Sequence, residues 1–236
     1  MKIFRKLKLL VLLGCVVLML AACGGSDEKS ETAANDTSAA QTSSEGGKSG
    51  EALPDDPLAA ITQALKNQQT AGPYRVKTTI ESEGQKMEMS AEIKLPDQMR
   101  VISDVSDKKM EMVFVGGKGW MRIDENWMDA PMKIDDLLHQ MNAMSSELLT
   151  EIASDATKVG NETVDGQETV LYTYTMDMNK SSTMKMDMKS AVKLWIRTSD
   201  NLPIKQEVSG EAMGIKSVST QVIEYDPTIT IEAPVK

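Results

Sequence analysis

Between residues 170 and 196 a run of apolar side chains falls on even positions: Tyr172, Tyr174, Met176, Met178, then Met184, Met186, Met188, Val192, Leu194 and Ile196. A two-residue repeat is the mark of a strand, whose successive side chains point to opposite faces. The odd positions Thr173, Thr175, Asp177, Lys185, Asp187 and Lys189 make the other face polar. Between the halves lies Asn179-Lys180-Ser181-Ser182-Thr183, a run of turn-forming residues. The segment therefore predicts a hairpin with one apolar, sulfur-rich face.

Similar patterning extends over most of the chain from residue 56 onward. Asp56-Pro57 reads as an N-cap followed by proline at the first helical position, and Leu58, Ile61 and Leu65 recur at helical spacing as far as Gln69. After Ala71-Gly72-Pro73, strands are predicted over 74–82 and 86–95; in the second, Met87, Met89, Ala91, Ile93 and Leu95 alternate with Lys86, Glu88, Ser90, Glu92 and Lys94. Further strands follow over 99–104, over 109–115 with Met110, Met112 and Phe114 on one side, over 120–123, and at Trp127. The brief polar turns between them make an antiparallel meander. The period then changes: Ile134, Leu137, Leu138, Met141, Met144, Leu148, Leu149 and Ile152 mark one helical face, with a break near Ser145-Ser146. Strand character resumes over 157–162, 167–178, 184–198, 203–212, 216–225 and 228–233.

The first 56 residues have a different character. Lys2, Arg5, Lys6 and Lys8 precede an apolar run over 9–19, and Leu20-Ala21-Ala22-Cys23 follows as a lipobox. This predicts a lipoprotein signal peptide over 1–22, with Cys23 as the lipid-attachment residue and new N-terminus. The apolar core is short for a membrane span of about 20 residues. Residues 23–56 carry the lipidated Cys and a tether rich in Ser, Glu, Gly, Ala, Thr and Asp, which cannot bury enough surface to order itself. A coil of that length spans on the order of 30 Å r.m.s.. One folded domain is expected over 57–236.

Without the signal, 22 Lys and Arg (the chain's 26 less four) face 35 Asp and Glu, a net charge of −13. An acidic chain argues against nucleic acid as a partner and against electrostatic docking on anionic lipid. Cys15 leaves with the signal, so no internal disulfide is possible. Catalytic candidates are sparse. The sole histidine, His139, sits one position off the apolar stripe of its helix, and Gly116-Gly117-Lys118-Gly119 lacks the spacing and following Ser or Thr of a phosphate loop. No enzyme activity, catalytic residue, cofactor or His/Cys metal site is expected.

The methionines are the anomaly: 18 in the chain, 16 of them beyond the signal, beside 2 Phe. Methionine is flexible and polarisable and suits surfaces that must accept varied apolar shapes. Three readings of the stripes stay open. They belong to a closed core, they line a cavity for a lipid or other apolar ligand, or their Met-X-Met pairs bind Cu(I) or Ag(I) through soft sulfur. The cavity reading names Met87, Met89, Met110, Met112, Phe114, Leu138, Met141, Tyr174, Met176, Met178, Met184, Met186, Met188 and Leu194 as its lining.

The folded part also resembles the LolA-like superfamily of envelope lipid carriers, especially the LppX/LprG type of lipoprotein. The likeness rests on the helix from Leu58, on Leu95-Pro96-Asp97-Gln98-Met99-Arg100, and on Val115-Gly116-Gly117-Lys118-Gly119-Trp120-Met121 with Trp127. It continues through Val159-Gly160-Asn161-Glu162-Thr163-Val164-Asp165-Gly166 to Val192-Lys193-Leu194-Trp195-Ile196, Asn201-Leu202-Pro203-Ile204-Lys205-Gln206-Glu207 and Tyr225-Asp226. It implies a mainly β (α+β) fold: a strongly curved, unclosed antiparallel sheet of about eleven strands, wrapped over an N-terminal helix and a central helical insert. It further implies a cell-envelope lipoprotein, anchored to the outer face of the cytoplasmic membrane or to an outer membrane, that holds a lipid under the sheet. A protein partner in the envelope, or a sensing and interaction role with a closed core, is the other use of such a fold.

Overall fold

The computed structural model describes residues 52–105, 108–123, 125–131, 134, 146–182, 187–212 and 214–234. Helix α1 (Pro57–Thr70) begins where Asp56, in extended conformation, accepts the Ala59 N–H on Oδ1 at 2.8 Å. The cap satisfies one orphan donor of the first turn, and Pro57 has no N–H to satisfy. Eleven strands follow: β1 (Tyr74–Ser82), β2 (Gln85–Lys94), β3 (Gln98–Val105), β4 (Lys108–Val115), β5 (Lys118–Ile123), β6 (Asn126–Asp129), β7 (Ala153–Val164), β8 (Gln167–Asp177), β9 (Lys189–Arg197), β10 (Pro203–Ala212) and β11 (Ile215–Tyr225). Helix α2 (Ser146–Ile152) runs directly into β7.

All eleven strands form one antiparallel, unclosed sheet in the order β6-β5-β4-β3-β2-β1-β11-β10-β9-β8-β7. Two meanders, β1–β6 and β7–β11, are thus joined by the pairing of β1 with β11. At that seam Tyr74 stands opposite Tyr225, their rings 5.8 Å apart and tilted, and the Tyr225 hydroxyl donates to the Pro203 carbonyl at 2.9 Å. The edge strands are poor templates for further pairing: β6 has four residues, and β7 carries register shifts between Ser154 and Thr157 and between Lys158 and Gly160.

The inner face carries two cores. Beneath β8 and β9, α1 contributes Ala60, Ile61 and Ala64, and α2 contributes Leu148, Leu149 and Ile152. They pack on Tyr172, Tyr174, Met176, Val192, Leu194 and Ile196. Beneath β1–β4 and β11 lie Tyr74, Ile93, Met99, Val101, Phe114, Ile223 and Ile134. Among the described residues no helix is long and apolar enough to cross a membrane.

Three expectations from the sequence are corrected. The hairpin's second strand, expected from residue 184, is strand from Lys189 onward: residues 187 and 188 are not strand, and 184–186 lie outside the described residues. β8 ends at Asp177, whose Oδ1 accepts the Asn179 N–H at 3.1 Å and so opens a 3-10 turn over Met178–Lys180. The Met178 N–H then reaches across to the Met188 carbonyl at 3.0 Å. Glu151 of α2 holds the Ser182 N–H and hydroxyl, so the chain just after this turn is tied to the helix. The second correction lies over 228–233, which is no strand: Asp226 accepts the Thr228 N–H and hydroxyl and turns the chain. Both sides of β11 are already paired, so Ile229 and Ile231 instead bury themselves against Val113, Val115 and Trp127. The third is β7, which is twelve residues long where 157–162 was expected, because its bulges hide the alternation that marks a strand.

Candidate functional site

Strand register assembles the inner face of the first meander in rows. One row is Tyr74, Ile93, Met99, Phe114 and Gly119; the next is Val76, Ala91, Val101, Met112 and Met121; the third is Thr78, Met89, Ser103, Met110 and Ile123. The first row is sealed, with Met99 2% and Phe114 0% exposed. Gly119 makes room for the Phe114 ring, because a Cβ there would come within 2.6 Å of it. Away from that row the wall opens: Met87, Met89, Met110, Met112 and Met121 are only half-buried, and Ile123 is exposed. This half is a surface of thioethers with Thr78 and Ser103 set among them.

The charges of these strands lie on the opposite face. Arg75 pairs with Glu92 at 2.8 Å, Lys77 with Glu224 at 3.0 Å, and Arg100 with Glu111 at 2.7 Å. Arg122 also binds Glu111, which is 3% exposed, and its guanidinium stacks 5.0 Å from the Trp127 ring. Ion pairing with Lys77 and Arg75 holds the Glu224 carboxyl below its ordinary range. The inner rows just described contain no Lys, Arg, Asp or Glu.

The second meander has its own inner surface, and it is filled. Tyr174, Met176, Met178, Met188 and Leu194 all lie in the core under α1 and α2, at 0–8% exposure. Burial pushes the Tyr172 and Tyr174 hydroxyls up, and Tyr74 in the other core to about 12. At the β8 terminus burial opposes ionisation of Asp177, but the Lys189 ammonium at 3.2 Å and the Asn179 N–H outweigh it and hold the carboxyl low.

The fourteen lining residues expected from the sequence thus fall into three groups. Met87, Met89, Met110, Met112 and Phe114 share the inner face of β2 and β4, with Phe114 in the sealed row. Tyr174, Met176, Met178, Met188 and Leu194 share the filled core. Leu138, Met141, Met184 and Met186, like the anchor Cys23 and His139, lie outside the described residues. Sequence reasoning missed Met121, Thr78 and Ser103 in these rows. Parity could have found Ser103, which shares the odd positions of β3 with Met99 and Val101. Among the described residues no three His, Cys, Asp or Glu side chains are grouped to hold a metal. At the far end of the sheet, the β1–β2 turn and residues 216–218 border an open groove of about 360 Å³.

No family model matches this sequence, and no curated protein matches it significantly. Solved structures do match. The lipoprotein LppX of Mycobacterium tuberculosis superposes with a TM-score of 0.53 at 15% identity, over 75% of this chain and 98% of its own. LprF from Mycobacterium bovis gives 0.53 at 10% identity, over 79% of this chain and 100% of its own.

Proposed function

Starting from the LolA-like, LppX/LprG-type fold of this chain, we propose that it is a non-enzymatic cell-envelope lipoprotein that holds a lipid or other apolar ligand against the methionine wall beneath β1–β5. The observation that carries this reading is the asymmetry of the inner face. Helices α1 and α2 fill the half under β8 and β9, whereas Met87, Met89, Met110, Met112 and Met121 stay half-buried under the other half. Apolar surface kept partly open costs stability unless something covers it, and each ligand methylene buried there gains about 0.8 kcal/mol. Thioether side chains adapt to a chain without fixed shape. The fold shared with LppX, itself described as a lipoprotein, supports the placement in the envelope. Cys23 carries the anchoring lipid, and residues 24–56 tether the domain to the membrane.

Native mass spectrometry of the full chain, extracted in mild detergent, tests this proposal. A bound lipid adduct is expected, and it should be lost when Met89→Trp and Met112→Trp fill the wall. A wild-type spectrum free of ligand, with no lipid uptake on addition, would overturn it.

The filled core under α1 and α2 favours a second reading, an interaction or sensor module with no ligand. That reading expects function to depend on rim loops such as 124–131 and to survive the two tryptophan substitutions. A Cu(I) titration under reducing conditions separates the soft-metal alternative, which requires a Met87→Leu, Met89→Leu variant to bind more weakly than wild type.

A further inference from the structure

Among the described residues, the Ser103 hydroxyl is the buried side-chain polar atom that has no hydrogen-bond partner. Ser103 is 7% exposed and sits on the inner face, between Met89 on β2 and Met110 on β4. Its neighbours in the row are thioethers, which are weak acceptors. A buried hydroxyl left unpaired costs roughly 1–3 kcal/mol, so a hydroxyl retained among methionines calls for a partner that the protein itself does not supply.

The charge distribution narrows what that partner is. Arg75, Lys77, Arg100 and Arg122 are all engaged on the opposite face, and among the described residues the rows around Ser103 hold no cation. A fatty-acid carboxylate placed there would be a buried, unpaired charge, which is far more costly than a buried neutral carbonyl with one good donor. From the lipid-binding reading above, on which this rests, we infer that the ligand is a neutral acyl ester and that the Ser103 hydroxyl donates to its ester carbonyl. Depth agrees with this. Thr78 and Met89, in the row of Ser103, lie four residues from the Ser82–Gln85 pair at the β1–β2 turn, or about 13 Å along the strand. A polar head group can therefore reach the open end near Glu83 and Lys86 while its ester lies at the serine and its acyl chain runs on toward Met112 and Phe114.

The experiment uses the full chain, stripped of endogenous lipid in detergent, and three probes measured by native mass spectrometry: dioleoylglycerol, its dioleyl diether analogue, and oleate. The diether keeps shape and apolarity but lacks the carbonyl. Wild type should hold the diester about tenfold tighter than the diether, and oleate more weakly still. Ser103→Ala should erase the diester preference while leaving diether binding unchanged, and Ser103→Thr, which keeps the hydroxyl, should retain it. Circular dichroism confirms that each variant is folded. Equal binding of diester and diether by wild type, a preference that survives Ser103→Ala, or oleate binding as tight as the diester would overturn the inference, the first two meaning that the hydroxyl is satisfied by water. Failure of wild type to bind any of the three would instead overturn the lipid-binding reading beneath it.

Discussion

At the scale of single residues, burial and electrostatics divide along the two faces of the sheet. All four tyrosines are held above their ordinary pKa, chiefly by burial: Tyr74 to about 12, and Tyr172, Tyr174 and Tyr225 in the same direction. Below about pH 10 both folded and unfolded chains keep these protons. Between about 10 and 12 the unfolded chain releases its Tyr74 proton first, so it binds fewer protons than the fold, and stability falls as pH rises. The folded protein should therefore show no tyrosinate absorbance appearing near pH 10, and its alkaline unfolding should coincide with tyrosine ionisation. A tyrosine titrating normally in the folded state would contradict the burial of that ring. In the filled core, Leu194 is 0% exposed, and Leu194→Ala should cost about 2–5 kcal/mol, read as a lowered denaturation midpoint. On the outer face Glu111 lies beneath two arginines, and Glu111→Ala leaves both without their shared acceptor. Those guanidiniums are 41% and 36% exposed and can turn to water, so the expected loss is smaller, about 1–3 kcal/mol by urea denaturation.

At the scale of elements, the Phe114–Gly119 pair shows how one missing side chain sets the fit of a strand. The Phe114 ring lies over the glycine on the neighbouring strand, and a Cβ at 119 would meet ring atoms at 2.6 and 2.8 Å. Gly119→Ala should destabilise by about 1–3 kcal/mol, whereas Phe114→Leu together with Gly119→Ala should recover part of the loss in a thermal melt. Gly119 also illustrates what could be read in advance. The sequence marks Gly116-Gly117-Lys118-Gly119 as a turn, and Gly116 and Gly117 do take positive φ there, but Gly119 belongs to β5 and serves packing instead. Strands with strict alternation, such as β1 and β2, were legible almost to the residue because one face meets the core and the other water. β7 was not, since its bulges break the period, and Ile229 and Ile231 alternate like a strand although β11, which they follow, is already paired on both sides. The candidate site was legible in direction only. Parity put the methionines on the inner face, but no local pattern tells that one half of that face is covered by α1 and α2. That depends on contacts across more than a hundred residues.

At the scale of the whole molecule, two meanders joined at one seam give a half-barrel whose ends differ in use. One end is a closed core that holds α1, α2 and β7–β9 together; the other is a methionine wall whose first row is sealed by Phe114 and whose outer rows leave Met89, Met110, Met112 and Met121 half-buried. On the proposed function, stability and ligand capture are carried by different halves, and substitutions in each should separate. Leu194→Ala should lower stability without changing lipid preference, while Met89→Trp with Met112→Trp should abolish uptake at little cost in stability. The most direct test of that division is photo-crosslinking of the full chain with a diacylglycerol bearing a diazirine in its acyl chain, followed by peptide mapping. Labelling confined to peptides of Gln85–Lys94, Gln98–Val105 and Lys108–Val115 is the predicted result. Labelling that falls instead on Gln167–Asp177 and Lys189–Arg197, or none above background, would contradict it.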